Sequence, residues 1–253
     1  MVVAPHVRDP PVSTTEPSTT IRPMWHLLTS LRDPQRPRIF QIGFNRCGTK
    51  SLHSFFKKNG YRSVHWANGK LAEGMELARL EEKPLLHHVG RWDVYTDMER
   101  VAHRRFFRGP VLKKLLRLKG KEKLEIPIQA YRYFRTLDRQ YPGSKFILNV
   151  RNVDLWVRSR LRFEAADGGK YRFCRHGDRA HESEEALVAC WKEHWHEHIR
   201  NVREYFDDRP DDLLTFHIER DSIYDLVAFF NRAGYDLNPD HWGWRNRTRP
   251  GGR

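Results

Sequence analysis

The segment from Gly43 to Leu52 concentrates groups that bind an anionic oxygen. Its two glycines, Gly43 and Gly48, let the backbone approach a ligand closely. Beside them stand four cationic or hydroxyl side chains, namely Arg46, Lys50, Thr49 and Ser51. Together these groups offer hydrogen-bond donors and positive charge from several directions, which suits a phosphate or a sulfate. We therefore predict an anion-binding loop at this point of the chain.

A strand and a helix are predicted to position this loop. The apolar run at 39–42 ends at Gly43 and predicts a buried strand, while apolar side chains at helical spacing predict a helix from Thr49 to Asn59. The first turn of a helix carries unpaired backbone N–H groups and partial positive charge. The loop is thus expected to hold an anion at the helix N terminus.

A second candidate phosphate site lies further along the chain. The apolar strand predicted at 146–150 ends in Arg151, and Ser159 follows eight residues later on a helix predicted at 153–163. A guanidinium at the carboxyl end of a strand can fork onto a phosphate. A hydroxyl two turns along the next helix can reach the same group. The pair therefore predicts a second phosphate-binding element.

The rest of the chain alternates strands with helices. Further strands are predicted at 61–66, just before Asp97 and at 213–218, and further helices at 71–82, 183–206 and 223–233; residues 101–141 are predicted to be helical and basic. This alternation predicts an α/β fold, a doubly wound parallel sheet with helices on both faces. The loop at 43–52 resembles a nucleotide triphosphate P-loop, and this resemblance implies a sheet like that of the P-loop nucleotide hydrolases. Ligands in such folds lie at the carboxyl ends of the strands, where Gly43 and Arg151 are both predicted to lie.

Length and composition limit the possible classes of protein. With 253 residues, 39% of them hydrophobic, the chain suits one domain, predicted at 38–240 between a flexible N-terminal arm at 1–37 and a basic tail at 241–253. The net charge of +14 favours anionic ligands without choosing among them. Three cysteines show no disulfide or metal-knuckle spacing and no apolar run is long enough for a membrane span, so a cytoplasmic protein is expected.

The two phosphate elements carry a resemblance to a known family. The loop reads Asn45-Arg46-Cys47-Gly48-Thr49-Lys50-Ser51-Leu52, close to a 5′-phosphosulfate loop, and Arg151 with Ser159 has the spacing of a 3′-phosphate motif. The sequence resembles the P-loop sulfotransferase superfamily, which uses 3′-phosphoadenosine-5′-phosphosulfate as donor, and within it the compact bacterial-type group. The resemblance runs from about residue 38 to about residue 235.

This resemblance implies an activity and a set of site residues. The activity is transfer of a sulfuryl group to a hydroxyl or amine of a small-molecule, glycan or lipid acceptor, with no metal and no nucleic acid partner. Donor binding is assigned to the two elements, at Arg46, Cys47, Gly48, Thr49, Lys50, Ser51, Arg151 and Ser159. Arg46 stands where the family has a catalytic lysine. It keeps the charge but cannot deprotonate, so we expect it to stabilise negative charge in the transition state.

Two candidates for the general base follow predicted strands and are expected to face the cleft. They are His65 and Asp97, and either residue type can accept a proton from an acceptor hydroxyl or amine. A third reactive group, Cys47, stands near a predicted helix N terminus, where a thiolate is favoured. All three are expected near the anion-binding loop.

Two other functions remain open at this point. A P-loop kinase would have lysine directly after the last glycine and an aspartate for magnesium at a strand end. Here Thr49 separates Gly48 from Lys50, and the strands at 146–150 and 213–218 lead into Arg151 and Glu219. The other alternative is a non-catalytic nucleotide- or anion-binding module, which the replacement of lysine by Arg46 favours.

A metal site is a weaker hypothesis. Cys190, His194 and His198 recur every four residues on a predicted helix, so one helical face presents three possible ligands. One helix rarely supplies three usable ligand directions, and we interpret the pattern as packing. No metal is expected in the site.

Overall fold

The structure is a computed structural model that describes residues 37–100, 102–103, 110–119, 127–166, 171–172 and 183–243. These residues belong to one compact unit, which begins at residue 35. The predicted N-terminal arm up to residue 36 and the basic tail beyond Gly243 lie outside the described residues. The limits predicted for the domain stay a prediction.

Strands and helices alternate along most of the described chain. The strands are β1 (Ile39–Gln41), β2 (Ser63–His65), β3 (Val94–Thr96), β4 (Glu99–Arg100), β5 (Ala102–His103), β6 (Ile128–Gln129), β7 (Lys145–Val150), β8 (Tyr171–Arg172) and β9 (Leu213–His217). The helices are α1 (Thr49–Lys58), α2 (Lys70–Leu80), α3 (Pro110–Lys119), α4 (Phe134–Gln140), α5 (Val153–Ala166), α6 (Glu184–Tyr205) and α7 (Ile223–Arg232). Short 3-10 helices lie at Ala67–Gly69, Ala130–Tyr133 and Pro239–His241.

The central sheet has five strands in the order β2-β3-β1-β7-β9. Every neighbouring pair is parallel, and the central strand β1 pairs with β3 on one side and β7 on the other. Parallel strands place all their carboxyl ends at one edge, so the loops after β1, β2, β3, β7 and β9 meet there. The predicted α/β fold with a doubly wound parallel sheet is confirmed.

Side-chain alternation along the strands fills a hydrophobic core on each face of the sheet. On β7, Phe146 and Leu148 enter one core and Ile147 enters the other, as the two-residue period of a strand requires. Helices α1 and α7 cover the second core, while α2, α4 and α6 cover the first. Serine caps fix the starts of the two late helices, Ser183 for α6 and Ser222 for α7. The sheet is therefore held rigidly behind its carboxyl edge.

The prediction of a helical region at 101–141 was wrong in part. Its described portions contain two separate short helices, α3 and α4, with strand β6 between them. β6 pairs antiparallel with β4, so Arg100 lies opposite Ile128. Strands of two residues show no period in a sequence, and this pairing was therefore not predicted.

Gly43 permits a close approach between the neighbouring strands β1 and β7. A Cβ atom at this position would lie 2.2 Å from the backbone oxygen of Asn149 and 2.3 Å from its side-chain oxygen. Both atoms are fully buried, so neither has free space into which to move. The glycine is required by packing at the point where the chain leaves β1.

We expect Gly43→Ala to lower the free energy of unfolding by about 1–3 kcal/mol, the usual effect of overpacking a buried site. Gly243→Ala is the matched control, because a Cβ at Gly243 would meet no atom within 4 Å. The measurement is urea-induced unfolding of both variants and the wild type. Equal midpoints for the two variants would show that β1 and β7 are not held at this separation.

Candidate active site

The loop after β1 has the backbone shape of an anion-binding turn. Arg46 and Gly48 adopt positive φ angles of 63° and 78°, and Gly48 is the N-cap of α1. No side chain of the described residues caps that helix end. The Ser51 N–H bonds to the Gly48 carbonyl at 2.9 Å, and the start of α1 carries the partial positive charge of a helix N terminus, which suits an anion. Gly48 also has no room for a side chain, since a Cβ would lie 1.9 Å from Cδ1 of Ile218.

The buried amide side chains of Gln41 and Asn149 form hydrogen bonds with the loop. Gln41, at the end of β1, donates from Nε2 to the carbonyl of Gly43 at 2.7 Å and to Oδ1 of Asn149 on β7. Asn149 in turn donates from Nδ2 to the carbonyl of Cys47 at 2.7 Å. The Gln41 Oε1 atom accepts a bond of 2.7 Å from the backbone N–H of Asp97. These bonds connect the loop to the ends of β7 and β3, and sequence analysis missed both residues.

Arg46 joins the two predicted phosphate elements. Its Nε donates to Oγ of Ser159 on α5 at 3.1 Å, and its guanidinium lies 4.7 Å above the ring of Phe163. Burial lowers the pKa of Arg46, and the nearby carboxyl of Asp97 opposes this shift. The loop and the 3′-phosphate motif predicted from sequence thus meet in one place.

Arg151 makes a second connection between these elements. Its Nη1 donates to the backbone carbonyl of Arg46 at 3.1 Å. Its Nη2 forms an ion pair with Glu219, which follows β9. Its Nε is buried and has no hydrogen-bond partner among the described residues. An arginine with one unused buried donor is suited to a further anionic ligand.

Both candidate bases lie beside the loop. His65, the last residue of β2, places Nε2 3.2 Å from Oγ1 of Thr49 and 3.4 Å from Oδ2 of Asp97. Asp97 follows β3 and adopts a left-handed φ of 57°, which aspartate tolerates better than most residues. The two side chains are 22% and 16% exposed, so they are largely but not wholly removed from water. The structure therefore brings Thr49, His65 and Asp97 together.

Burial shifts the pKa of each candidate base away from its ordinary value, and the two shifts have opposite signs. Burial, aided by the charges of His53 and Lys50, lowers the pKa of His65 to about 4. Burial and the neighbouring carboxyl of Glu99 raise the pKa of Asp97 to about 7, against the attraction of Arg46 and Arg160. At neutral pH the histidine is uncharged and the aspartate is near its midpoint of titration, where a general base works best.

A buried ion pair between Glu99 and Arg160 affects the pKa of Asp97. This pair was not predicted from the sequence. Glu99 and Arg160 lie 3.2 Å apart with almost no exposure. The guanidinium carbon of Arg160 lies 4.7 Å from the ring centroid of Trp156 and 4.8 Å from that of Trp191, and both contacts are cation–π contacts. Burial raises the pKa of Glu99, and Arg160 opposes that rise. The arginine thus offsets part of the negative charge beneath the site.

The remaining loop residues differ in exposure. Lys50 is exposed, whereas Thr49, Ser51 and Cys47 are buried. Burial raises the pKa of the Cys47 thiol, so the expectation of a favoured thiolate was wrong. Desolvation outweighs the attraction of the three nearby arginines, because Cys47 is buried within the hydrophobic core.

Two of the three possible metal ligands on α6, His194 and His198, are used in packing. His198 approaches the carbonyl of Ile42 with Nε2 at 2.7 Å, and the ring of His194 packs edge-on against Phe44. Within the described residues, no group of three or more His, Cys, Asp or Glu side chains is arranged to hold a metal ion. The helix instead supports the loop through Ile42 and Phe44.

An aspartate follows the strand next to β1, contrary to the expectation from the sequence that no strand leads into an aspartate for magnesium. The strands considered there led into Arg151 and Glu219, but β3, the direct neighbour of β1, is followed by Asp97. The fold therefore does place an aspartate at the strand end next to the loop.

Comparison with known proteins identifies the family. Residues 38–167, just over half of the chain, match the family model described as "Sulfotransferase domain". The match includes the loop, both candidate bases, Arg151 and Ser159. The chain belongs to the sulfotransferase family and is a transferase enzyme, as its sequence predicted. A search of curated proteins gave no significant match. Among the described helices, none has the length and apolar character needed to cross a membrane.

We expect Asp97→Asn to stabilise the protein increasingly as the pH rises from 4 to 7. The folded wild type keeps a proton on Asp97 up to about pH 7, whereas the unfolded chain loses it near 3.8. Folding thus binds a proton across this interval, and wild-type stability falls as pH rises. Asparagine cannot ionise, so the variant avoids that loss, on the order of 2–4 kcal/mol at pH 7.

The measurement is urea unfolding of both proteins at several pH values. Taking the difference between them removes the opposite contribution of His65, whose lowered pKa makes stability rise with pH over much the same interval. Asp154→Asn is the control, since Asp154 is an exposed carboxylate paired with Lys192. A pH-independent difference between Asp97→Asn and wild type would show that Asp97 is an ordinary carboxyl.

Proposed function

We propose that this enzyme transfers a sulfuryl group from 3′-phosphoadenosine-5′-phosphosulfate to a hydroxyl or amine of an acceptor. The observation that carries the proposal is the pair of bonds joining the two phosphate elements. Arg46 of the loop donates to Ser159, and Arg151 donates to the Arg46 carbonyl. Residues at both ends of a bisphosphorylated nucleotide site would thus act as one unit.

The residues present fit this donor. The uncapped first turn of α1 suits its 5′-phosphosulfate, and Thr49, Lys50 and Ser51 lie on that turn. The unused buried Nε of Arg151 and the hydroxyl of Ser159 suit its 3′-phosphate. We therefore assign donor binding to the loop from Arg46 to Ser51, with Cys47 and Gly48 contributing backbone, and to Arg151 and Ser159.

The donor supplies an activated sulfuryl group on a phosphate leaving group, and the protein supplies charge and proton transfer. Arg46 and Lys50 stabilise the negative charge that develops on the leaving oxygen. Arg46 stays protonated, so its part is electrostatic and not that of an acid. Its contacts with Ser159 and Phe163 fix its direction before the reaction, which lowers the cost of reorganisation.

Asp97 is the better of the two candidates for the general base. Its pKa of about 7 makes it both available and basic near neutral pH, whereas the pKa of His65, about 4, makes the imidazole a weak base. His65 contacts both Asp97 and Thr49, and so orients the carboxyl relative to the loop.

The acceptor is proposed to be a small molecule, glycan or lipid. Two described cysteines are free thiols, which favours a cytoplasmic site of action.

The first experiment is calorimetric titration with 3′-phosphoadenosine-5′-phosphate, in the presence and absence of magnesium. We expect binding that does not need magnesium and that weakens about tenfold or more in Arg151→Ala, because a charge-assisted contact to a phosphate is lost. Arg200→Ala is the control, since Arg200 is an exposed arginine on α6. Stronger binding of ATP with magnesium would instead support the kinase alternative, in which Asp97 holds the ion.

A second experiment tests the base. Release of 3′-phosphoadenosine-5′-phosphate from the donor is measured with a panel of phenols, glycans and lipids. With the best acceptor, we expect Asp97→Asn to lower kcat by about 10²–10⁴-fold, the usual contribution of a general base. His65→Ala should lower kcat by a smaller factor than Asp97→Asn does. It should also shift the pH at which kcat begins to rise. Full activity in Asp97→Asn would exclude Asp97, and donor binding without turnover on any acceptor would support the non-catalytic alternative.

A further inference from the structure

Glu219 occupies a position that the proposed reaction does not explain. It follows β9, the neighbour of β7, and so lies where Arg151 leaves β7. Besides its ion pair with Arg151, its Oε2 accepts a bond of 3.1 Å from the backbone N–H of Asn152. The side chains of Arg151 and Glu219 are 22% and 27% exposed. The carboxylate thus occupies both an arginine donor and a neighbouring backbone donor at the strand end.

The three nitrogens of the Arg151 guanidinium differ in their hydrogen bonding. One binds the loop through the Arg46 carbonyl, one binds Glu219, and Nε is buried with no partner in the described part of the chain. A phosphate bound by a guanidinium fork uses two neighbouring donors. A carboxylate on one of them would repel the dianion that the fork is suited to bind.

We propose that Glu219 and the 3′-phosphate of the donor compete for the Arg151 guanidinium. This inference rests on the proposed function, and it adds a residue that weakens nucleotide binding. Because donor and product carry the same 3′-phosphate, the competition lowers the affinity for both and favours release of the product nucleotide. Glu219 is thus a specificity-determining residue for the 3′-phosphate and does not take part in the sulfuryl transfer.

The test compares wild type with Glu219→Gln, which removes the charge and keeps the shape and an acceptor oxygen. We expect 3′-phosphoadenosine-5′-phosphate to bind about fivefold more tightly to Glu219→Gln and to dissociate more slowly, as expected when a partly exposed ion pair no longer competes. Adenosine 5′-phosphate, which lacks the 3′-phosphate, should bind equally to both proteins. Glu204→Gln is the matched control, since it changes the net charge equally at an exposed pair on α6.

A double-mutant cycle completes the design. In an Arg151→Ala background the Glu219→Gln change should have no effect, because the group for which the two anions compete is gone. Unchanged or weaker binding of the bisphosphate by Glu219→Gln would overturn the inference and show that Glu219 orients Arg151 for its ligand. If wild type does not prefer 3′-phosphoadenosine-5′-phosphate to adenosine 5′-phosphate, the donor assignment fails first, and this inference fails with it.

Discussion

The hydrogen bond between the buried amides of Gln41 and Asn149 is the interaction on which the site depends most. It lies between the two central strands, where neither side chain has any exposed surface. Unpaired amides at this depth would be costly, so each donor and acceptor must find a partner. The partners are carbonyls of the loop and the N–H of Asp97. Satisfying two buried amides therefore also fixes the loop and the candidate base.

The candidate site has a cationic half and a half that holds the two candidate bases. Arg46 and Arg151, connected through the Arg46 carbonyl, form the first at the ends of β1 and β7. His65 and Asp97, at the ends of β2 and β3, form the second. The halves influence each other, because Arg46 opposes the rise that burial causes in the pKa of Asp97, and Asp97 opposes the lowering that burial causes in the pKa of Arg46. In the proposed reaction, an acceptor hydroxyl would bind at this boundary, between the candidate base and the two arginines.

The fold could be predicted because it depends on local sequence, and so could the positions of the loop and of Arg151 at two neighbouring strand ends. Apolar runs, helical spacing and the Arg151–Ser159 interval each lie within one strand–loop–helix unit. Gln41 and Asn149 interrupt otherwise apolar strands, a signal that could have identified them as a buried polar pair. Glu219 and the Glu99–Arg160 pair could not be predicted, since their partners lie about 60 residues or more away in sequence. The Cys47 prediction failed because burial, which sequence does not show directly, outweighed the attraction of the nearby arginines.

The pairing of β1 with β7 also sets when the enzyme can first become functional during its own synthesis. Ile39 lies beside Lys145, so the central strand finds this neighbour only after more than 100 intervening residues have been made. β9, which brings Glu219 to Arg151, comes later still. Contacts between residues so distant in sequence slow folding. An emerging chain with a complete loop but no β7 therefore lacks the amide of Asn149 that bonds to the loop, and the candidate site cannot be complete until most of the domain has left the ribosome.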